Sequence, residues 1–455
     1  MLKYSDLSPD QLDCIEFIGA GEDSLVLADV GAGKTVIGLT AAKRALDEGE
    51  VSRWLVAAPK RVALHVWAQE AQLWEHLKDL PIAVACGDVE QRVAAVNSGA
   101  PIVVINYENL PWLFEAYPVK RIKRERVDTM PFDGLMCDEI DKLKSVSTNR
   151  FKDIRNRVDH FKKRVNLTGT PAPNRLLEVW GQVYMTDGGA TFGRSFYRWR
   201  QEYFYPTDYK QYRWAPFPGT FEKIIEALDG LAYRLAATGV PPFVIQKPRY
   251  VSLTPSQRKL YAEFEKELYA EFQREGAWYE LDADNQGIAQ GKLEQICAGF
   301  SYVDGGEKRE AVWHSRAKLD ALRTMQRVFR DKQLMVGYWF KEELRELERL
   351  FPPGQFRWIG KSDAADTETI ELWNSGRLPV LGVHPASAGH GLNLQLSGAH
   401  VATSLTLPWS GGLFKQWIGR LARRGPTATQ VDVWPILAKD TVDAAKLEVI
   451  EGRIS

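Results

Sequence analysis

The stretch Leu25-Val-Leu-Ala-Asp-Val-Gly-Ala-Gly-Lys-Thr35 runs directly into Val36-Ile-Gly-Leu-Thr-Ala-Ala-Lys-Arg-Ala-Leu-Asp47. Leu25 to Ala28 is a short apolar run suited to a buried strand, and the apolar residues after Thr35 recur at helical spacing. Between them, Gly31, Ala32 and Gly33 make a small-residue loop in which phosphate oxygens can approach backbone N–H groups. Lys34 adds a mobile positive charge for the outer phosphates of a nucleotide, and the Thr35 hydroxyl suits Mg²⁺. The strict phosphate-loop pattern has glycine where this chain has Ala28. A glycine-rich turn followed by a solvated lysine is the structural alternative, so the rest of the chain has to decide.

A length of 455 residues implies two or three domains. Hydrophobic residues at 45% and charged residues at 26% are those of a soluble globular protein. Cys14, Cys86, Cys137 and Cys297 are scattered without a Cys-x-x-Cys pair, which argues against a zinc site or a disulfide framework. A reducing compartment, the cytoplasm of a bacterial or virus-infected cell or else a nucleus, is expected. No apolar run approaches spanning length, and Met1-Leu-Lys-Tyr-Ser-Asp6 does not read as a secretory leader. Basic and acidic residues both number 59, so any nucleic-acid surface has to come from local clustering.

Before the glycine loop, Ser8 and Gln11 flank the start of a helix and can form a capping box, although the Gln11 amide can equally read an adenine edge. Strand candidates then follow at Arg53–Pro59, Pro101–Asn106 and Arg164–Thr168, with a helix carrying Trp67, Glu70 and Trp74. Alternation of this kind predicts a parallel sheet covered on both faces. Gly134-Leu-Met-Cys-Asp-Glu-Ile-Asp141 delivers Asp138 and Glu139 at the C-terminal end of a strand, where open α/β sheets bind ligands. In a phosphate-loop ATPase the first acid holds Mg²⁺ through water and the second orients the attacking water. Thr168 and Thr170, in Leu167-Thr-Gly-Thr-Pro171, read as a polar hinge that can sense a γ-phosphate. Basic runs at 120–126 and 142–164 are either solvated faces or phosphate contacts. From Phe192 to Phe217 aromatic residues interleave with arginines, a pattern that favours an aromatic mini-core over a base-stacking platform.

Residues 236–250 read as a linker, and 251–455 repeat the alternation without a second phosphate loop. Strand candidates are Gln333–Tyr338, Gln355–Ile359, Pro379–Val383, His400–Leu405 and Gln430–Leu437. A charged helix is expected over Ser256–Glu275, with an irregular stretch after it. Gly389, Gly391 and Asn393 lie in a loop after a strand, and Gln416, Arg420 and Arg423 fall at i, i+4 and i+7 of a predicted helix.

Together these stretches resemble superfamily-2 helicase-like ATPases, specifically the Swi/Snf-type branch of DNA translocases. Leu7–Gln11 is similar to the adenine-side glutamine motif, Ala28–Thr35 to motif I, Arg61–Trp74 to motif Ia and Ile105–Tyr107 to motif Ib. Asp138–Asp141 resembles motif II, with Asp141 where the branch usually has His. Leu167–Asn174 resembles motif III, Gly389–Leu394 motif V, and Gln416–Gly425 motif VI, with Pro426 where Gln is usual. The resemblance implies an α/β fold of two tandem RecA-like lobes with helical insertions. Lobe 1 would span 1–235 with an aromatic-basic insertion at about 187–235, and lobe 2 would span 251–455 with a helical insertion at about 254–310. Gln11, Gly31, Gly33, Lys34, Thr35 and Gln416 would bind ATP, with Mg²⁺ held at Thr35 and Asp138. Lys34, Asp138, Glu139, Arg420 and Arg423 would carry hydrolysis. Thr168, Thr170, Gly389, Gly391 and Asn393 would couple it to DNA, probed through phosphates rather than base edges. The implied activity is ATP-driven movement along duplex DNA. A strand-separating DNA or RNA helicase and a non-moving ATP-dependent DNA clamp are the alternatives. No Asn-Gly hairpin signal for a strand-separating pin is present.

Overall fold

The computed structural model describes residues 1–28, 31–122, 125–143, 145–169, 176–209, 211, 214–235, 243–274, 283–304, 309–387, 394–422 and 430–454. The chain divides into two compact units, Met1–Gly239 and Val240–Ser455.

In the first unit seven strands form one sheet: β1 (Asp23–Ala28), β2 (Trp54–Ala58), β3 (Ile82–Ala85), β4 (Ile102–Asn106), β5 (Gly134–Asp138), β6 (Lys163–Thr168) and β7 (Ala232–Leu235). Their order is β7-β1-β6-β5-β2-β4-β3, and every pair is parallel. Parallel pairing needs a crossover on one face or the other, so both faces are covered and the strands are apolar throughout. β2, β4 and β5 are accordingly buried along their whole length. One core, on the side of the helices Pro9–Ala20 and Lys34–Asp47, packs Ile15, Ile37, Val56 and Trp67. The opposite core gathers Leu55, Phe132, Phe151 and Trp180.

Register decides where the chemistry emerges. Leu27 pairs with Thr168 across β1 and β6, and Asp138 pairs with Leu167 across β5 and β6. The glycine loop after β1, the acids at the end of β5 and Thr168 at the end of β6 therefore leave the sheet along one edge.

The second unit holds β8 (Phe243–Gln246), β9 (Arg249–Val251), β10 (Leu334–Gly337), β11 (Phe356–Ile359), β12 (Val380–Val383), β13 (Val401–Ser404) and β14 (Gln430–Ala438). The order is β8-β14-β13-β10-β12-β11, again all parallel, with β9 pairing the later half of β14. Each unit is thus a helix-flanked parallel sheet, the RecA-like lobe implied by the sequence.

Several elements differ from expectation. β8 falls inside 236–250 and β9 straddles its end, and the two are separated at Lys247-Pro248, because proline cannot donate to the ladder. The helix expected around Trp67 is two short helices, Lys60–His65 and Trp67–Leu73, meeting at Val66. A helix, Ala283–Ala298, occupies much of the stretch read as irregular. Two-stranded antiparallel ribbons occur at Lys120–Ile122 with Glu125–Val127, Phe204–Pro206 with Trp214–Pro216, and Phe300–Asp304 with Arg309–Trp313. None of their connecting sequences contains an Asn-Gly turn. In the aromatic stretch Trp199 and Phe204 are buried, and Trp199 packs on Phe192 and Tyr203 with ring centroids 5.4 and 5.5 Å apart. Arg200 covers Trp214 at 4.0 Å, while Tyr197 and Tyr209 face outward. The mini-core is the observed arrangement.

Gly134 opens β5 at a point of close packing. A Cβ there would lie 2.7 Å from both the Trp54 ring and Val51. The Trp54 ring has no room to retreat, being fully buried with Nε1 donating to the Ala42 carbonyl at 3.2 Å. Gly134→Ala is expected to cost about 1–3 kcal/mol from overpacking. Urea denaturation checks this, and an unchanged midpoint would mean that the contact relaxes freely.

Candidate nucleotide site

The helix Lys34–Asp47 begins with Gly33 as its N-cap at φ 85°, and Gly31 sits at φ 86°. L-residues other than glycine rarely hold such angles, so the turn from β1 into the helix requires glycine at both positions. Gly33 is doubly constrained, because a Cβ there would lie 2.3 Å from the Gln11 Nε2 atom. The first N–H groups of this 14-residue helix have no partner within it and carry the positive end of its dipole, which suits phosphate.

Gln11 makes both kinds of contact that its sequence position allows. Its Oε1 accepts from the Ser8 N–H at 2.9 Å, and Ser8 Oγ accepts from the Gln11 N–H at 3.3 Å, closing the capping box. Its Nε2 also donates to the Ala32 carbonyl at 2.9 Å. Gln11 therefore ties the first helix to the glycine loop. The second Nε2 hydrogen and the second Oε1 lone pair leave capacity for a ligand edge.

Lys34 Nζ donates to the Ala28 carbonyl at 3.2 Å and lies 3.9 Å from Glu139 Oε1. Thr35 is half-buried in the first turn of the same helix. Asp138 is buried at the end of β5, where Trp67 Nε1 donates to its Oδ2 at 3.1 Å and the Tyr107 hydroxyl donates to its backbone carbonyl at 2.9 Å. Burial, then the adjacent Glu139 carboxylate, push the Asp138 carboxyl well above the usual carboxylate range. Lys34 and the Trp67 hydrogen bond offset part of that rise. Glu139 follows at φ 57°, a conformation that costs a non-glycine residue free energy and turns its side chain out of the strand's alternation.

This donor set fits a Mg–nucleotide complex. A buried carboxylate held out of its preferred charge state gains from a divalent cation beside it. Among the described residues no cluster of three or more His, Cys, Asp or Glu could hold a metal ion. Mg²⁺ takes one or two protein oxygens and completes its shell with phosphate and water.

The remaining predicted residues separate into two groups. Thr168 is fully buried at the end of β6. In the second unit Gln416 is half-buried within the helix Gly411–Ile418. That helix stops at Gly419, so Arg420 lies in the turn after it, its N–H donating to the Trp417 carbonyl at 3.2 Å. The α-helical span therefore ends before Arg420, where the hydrogen bonding tightens from i→i−4 to i→i−3 at Arg420 and Leu421. Arg420 is also buried rather than part of a solvated arginine face. Thr170, Gly389, Gly391, Asn393 and Arg423 lie outside the described residues. Sequence reading did not assign Trp67 and Tyr107 to Asp138. Both were visible as residues of local elements, but no spacing signal joins positions 71 and 31 residues apart.

A family model described as the SNF2-related domain matches residues 19–297. Protein p41 of Acyrthosiphon pisum secondary endosymbiont phage 1 is 32% identical over 446 residues, covering 93% of this chain and 91% of that protein. The chromodomain-helicase-DNA-binding protein 3 homolog of Caenorhabditis elegans is 29% identical over 194 residues, 38% of this chain but only 11% of that protein. The SWI2/SNF2 ATPase core of Sulfolobus solfataricus in complex with double-stranded DNA aligns over 96% of this chain and 89% of its own, at 19% identity and a TM-score of 0.44.

The raised Asp138 carboxyl has a consequence for stability. A carboxyl whose folded pKa exceeds its unfolded value stabilises the fold below the unfolded value, and that contribution is lost as pH rises through the folded value. Asp138→Asn keeps an acceptor for Trp67 without the charge. In nucleotide-free, Mg²⁺-free protein the variant should melt with wild type in acid and increasingly above it toward neutral pH. Parallel melting curves across that range would remove the buried charge as the cause.

Proposed function

The chain belongs to the SNF2-related family of superfamily-2 helicase-like ATPases, and from that premise we propose that it hydrolyses ATP to move along duplex DNA without separating the strands. One observation carries the ATPase part: Lys34, Asp138 and Glu139 meet at the sheet edge where the glycine loop also ends. Bound Mg²⁺ would supply positive charge to the β/γ-phosphates at this edge. Thr35 and Asp138 would hold that ion through oxygen ligands. Gly31, Gly33 and the helix N-terminus would hold the phosphates, with Lys34 leaving the Ala28 carbonyl to reach them. Glu139, turned out by its backbone, would orient the attacking water and accept its proton. Gln11 would hold the adenine edge with the capacity left over from its cap. Gln416, Arg420 and Arg423 of the second unit would complete the site during turnover. Thr168, Thr170, Gly389, Gly391 and Asn393 would pass the nucleotide state on to DNA phosphates.

Duplex tracking is supported by family membership and by the Thr168-Gly-Thr-Pro171 stretch. Contacts to phosphates make such tracking sequence-tolerant and salt-sensitive. Its setting would be a cytoplasm, and among the described residues no helix is long and apolar enough to cross a membrane. Strand separation is the second reading, favoured by the antiparallel ribbon Lys120–Ile122 with Glu125–Val127, a candidate wedge of strongly basic sequence.

Lys34→Ala should lose hydrolysis and weaken ATP binding, whereas Glu139→Gln should retain Mg–ATP binding and fail to turn over. Robust turnover by Glu139→Gln would remove Glu139 from the chemistry. Arg420→Ala should spare ATP binding and lower the rate, by up to the order of 10³–10⁵ seen for arginine fingers.

ATPase rates with duplex DNA should exceed those with RNA, and the stimulation should fade as salt rises. With ATP the protein should displace a triplex-forming third strand and leave a tailed duplex intact. Release of a labelled strand from the tailed duplex, abolished when the 120–127 ribbon is replaced by a short glycine-serine loop, would favour the helicase reading.

A further inference from the structure

The five residues after β13, Leu405-Thr-Leu-Pro-Trp409, are held in large part by buried charged side chains. Lys318 Nζ donates to the Leu405 carbonyl at 2.7 Å, and Lys446 Nζ donates to the Leu407 carbonyl at 2.9 Å. Between these two carbonyls, Thr406 Oγ1 donates to Glu343 Oε1 at 2.7 Å. Trp409 Nε1 donates to Glu294 Oε1. These four charged residues are only 3%, 0%, 1% and 4% exposed, in the order Lys318, Lys446, Glu343, Glu294. They come from four separate helices: Ala317–Val328, Val442–Ile454, Lys341–Leu350 and Ala283–Ala298.

The charges compensate one another. Lys446 pairs with Glu294 at 2.9 Å, and Lys318 pairs with Asp443 at 2.6 Å. Asp443 Oδ2 also accepts from the Ala438 N–H at the end of β14, at 2.9 Å. Lys446 Nζ lies 5.2 Å from the Trp409 ring centroid, so a cation–π contact reinforces the same corner. Apolar packing would have covered this segment without fixing it, because hydrophobic contact is not directional. Ammonium groups on two alternate carbonyls, those of Leu405 and Leu407, fix its height, direction and rotation.

What the segment leads into gives the arrangement its use. Ser410 caps the next helix, its Oγ accepting from the Leu413 N–H at 3.3 Å. That helix, Gly411–Ile418, carries Gln416 and ends against Arg420. Trp417 seats it on β10, where a Cβ at Gly337 would come within 2.8 Å of the indole ring. We infer that Lys318, Glu343, Lys446 and Glu294 form a positioning frame that sets the helix bearing Gln416 and the turn bearing Arg420. The inference rests on the reading that Arg420 takes part in ATP hydrolysis. The four are positioning residues, since they act through the segment and touch no substrate.

Lys446→Met keeps the length of the buried stem and removes the charge. In the full chain with saturating duplex DNA, it should leave the KM for ATP nearly unchanged and lower kcat on the order of 10²-fold, as a displaced catalytic group does. The distinguishing readout is a double-mutant cycle with Arg420→Lys. If the frame acts through Arg420, Lys446→Met should add little to the loss already caused by Arg420→Lys. A folded Lys446→Met enzyme with wild-type kcat, or an equally large loss in both backgrounds, overturns the frame. Should Lys446→Met fail to fold, Trp409→Phe removes only the indole donor. It should remain folded and still lose kcat, and an unchanged kcat there also overturns the frame. Full activity of Arg420→Lys overturns the role of Arg420 itself, and with it the frame's purpose. An impaired Arg420→Lys beside a normal Lys446→Met overturns the frame alone.

Discussion

The first unit depends on a carboxylate kept where a carboxylate is costly. Asp138 stands at the end of β5 with Glu139 beside it, and the charged form is disfavoured by both burial and repulsion. An apolar residue would make the sheet edge more stable. What retains the charge is the geometry around it. Trp67 fixes one oxygen, Tyr107 fixes the backbone, and Lys34 supplies positive potential without a close ion pair, standing 3.9 Å from Glu139. Buried carboxylates with strongly perturbed pKa values of this kind concentrate at functional sites. The β1–β6–β5 register then brings that charge to the edge where the helix N-terminus offers its N–H groups.

Gln11 shows how one side chain can serve the fold and the site together. Its carbonyl oxygen closes the cap on the helix Pro9–Ala20, and its amide nitrogen holds the glycine loop through the Ala32 carbonyl. Helix capping alone is worth about 1 kcal/mol, which any serine-led start could supply. The loop contact is the more specific of the two, because it forbids any side chain at Gly33. Position 33 is thus constrained twice, once by backbone angle and once by the residue that steadies the loop.

Much of this was legible from sequence for physical reasons. β1, β2, β4, β5 and β6 are largely buried, so they read as apolar runs, and β10, β12, β13 and β14 of the second sheet read likewise, whereas β8 and β9 fall in the stretch that reads as a linker. β3, Ile82–Ala85, was missed because it sits at the sheet margin, half-exposed and only four residues long. The helix Ala283–Ala298 was missed because its glycines and polar residues give it almost no amphipathic pattern. The end of the helix at Ile418 was overrun because residues 416, 420 and 423 keep helical spacing across Gly419. Contacts between distant positions were not legible at all. Neither the Trp67 indole on Asp138 nor the lysines on the Leu405 and Leu407 carbonyls follow any local rule.

The two units use buried charge in opposite ways, and the contrast separates positioning from binding. In the second unit burial works against the Lys318 ammonium, yet the Asp443 carboxylate beside it raises it above its ordinary value. Glu343 is pushed up by burial, but Thr406 and the Trp339 and Phe340 N–H groups all donate to it and pull it part of the way back. Those charges are answered by the protein itself, and removing one partner strands the other. Asp138 lies beside the Glu139 carboxylate instead of a cation at contact distance, and the side chain that donates to it is the neutral Trp67 indole. Charges that face opposite charges and donors within the protein can hold a backbone in one orientation. An incompletely answered carboxylate at the end of a strand costs the first unit stability, the reverse of what paired charge does in the second.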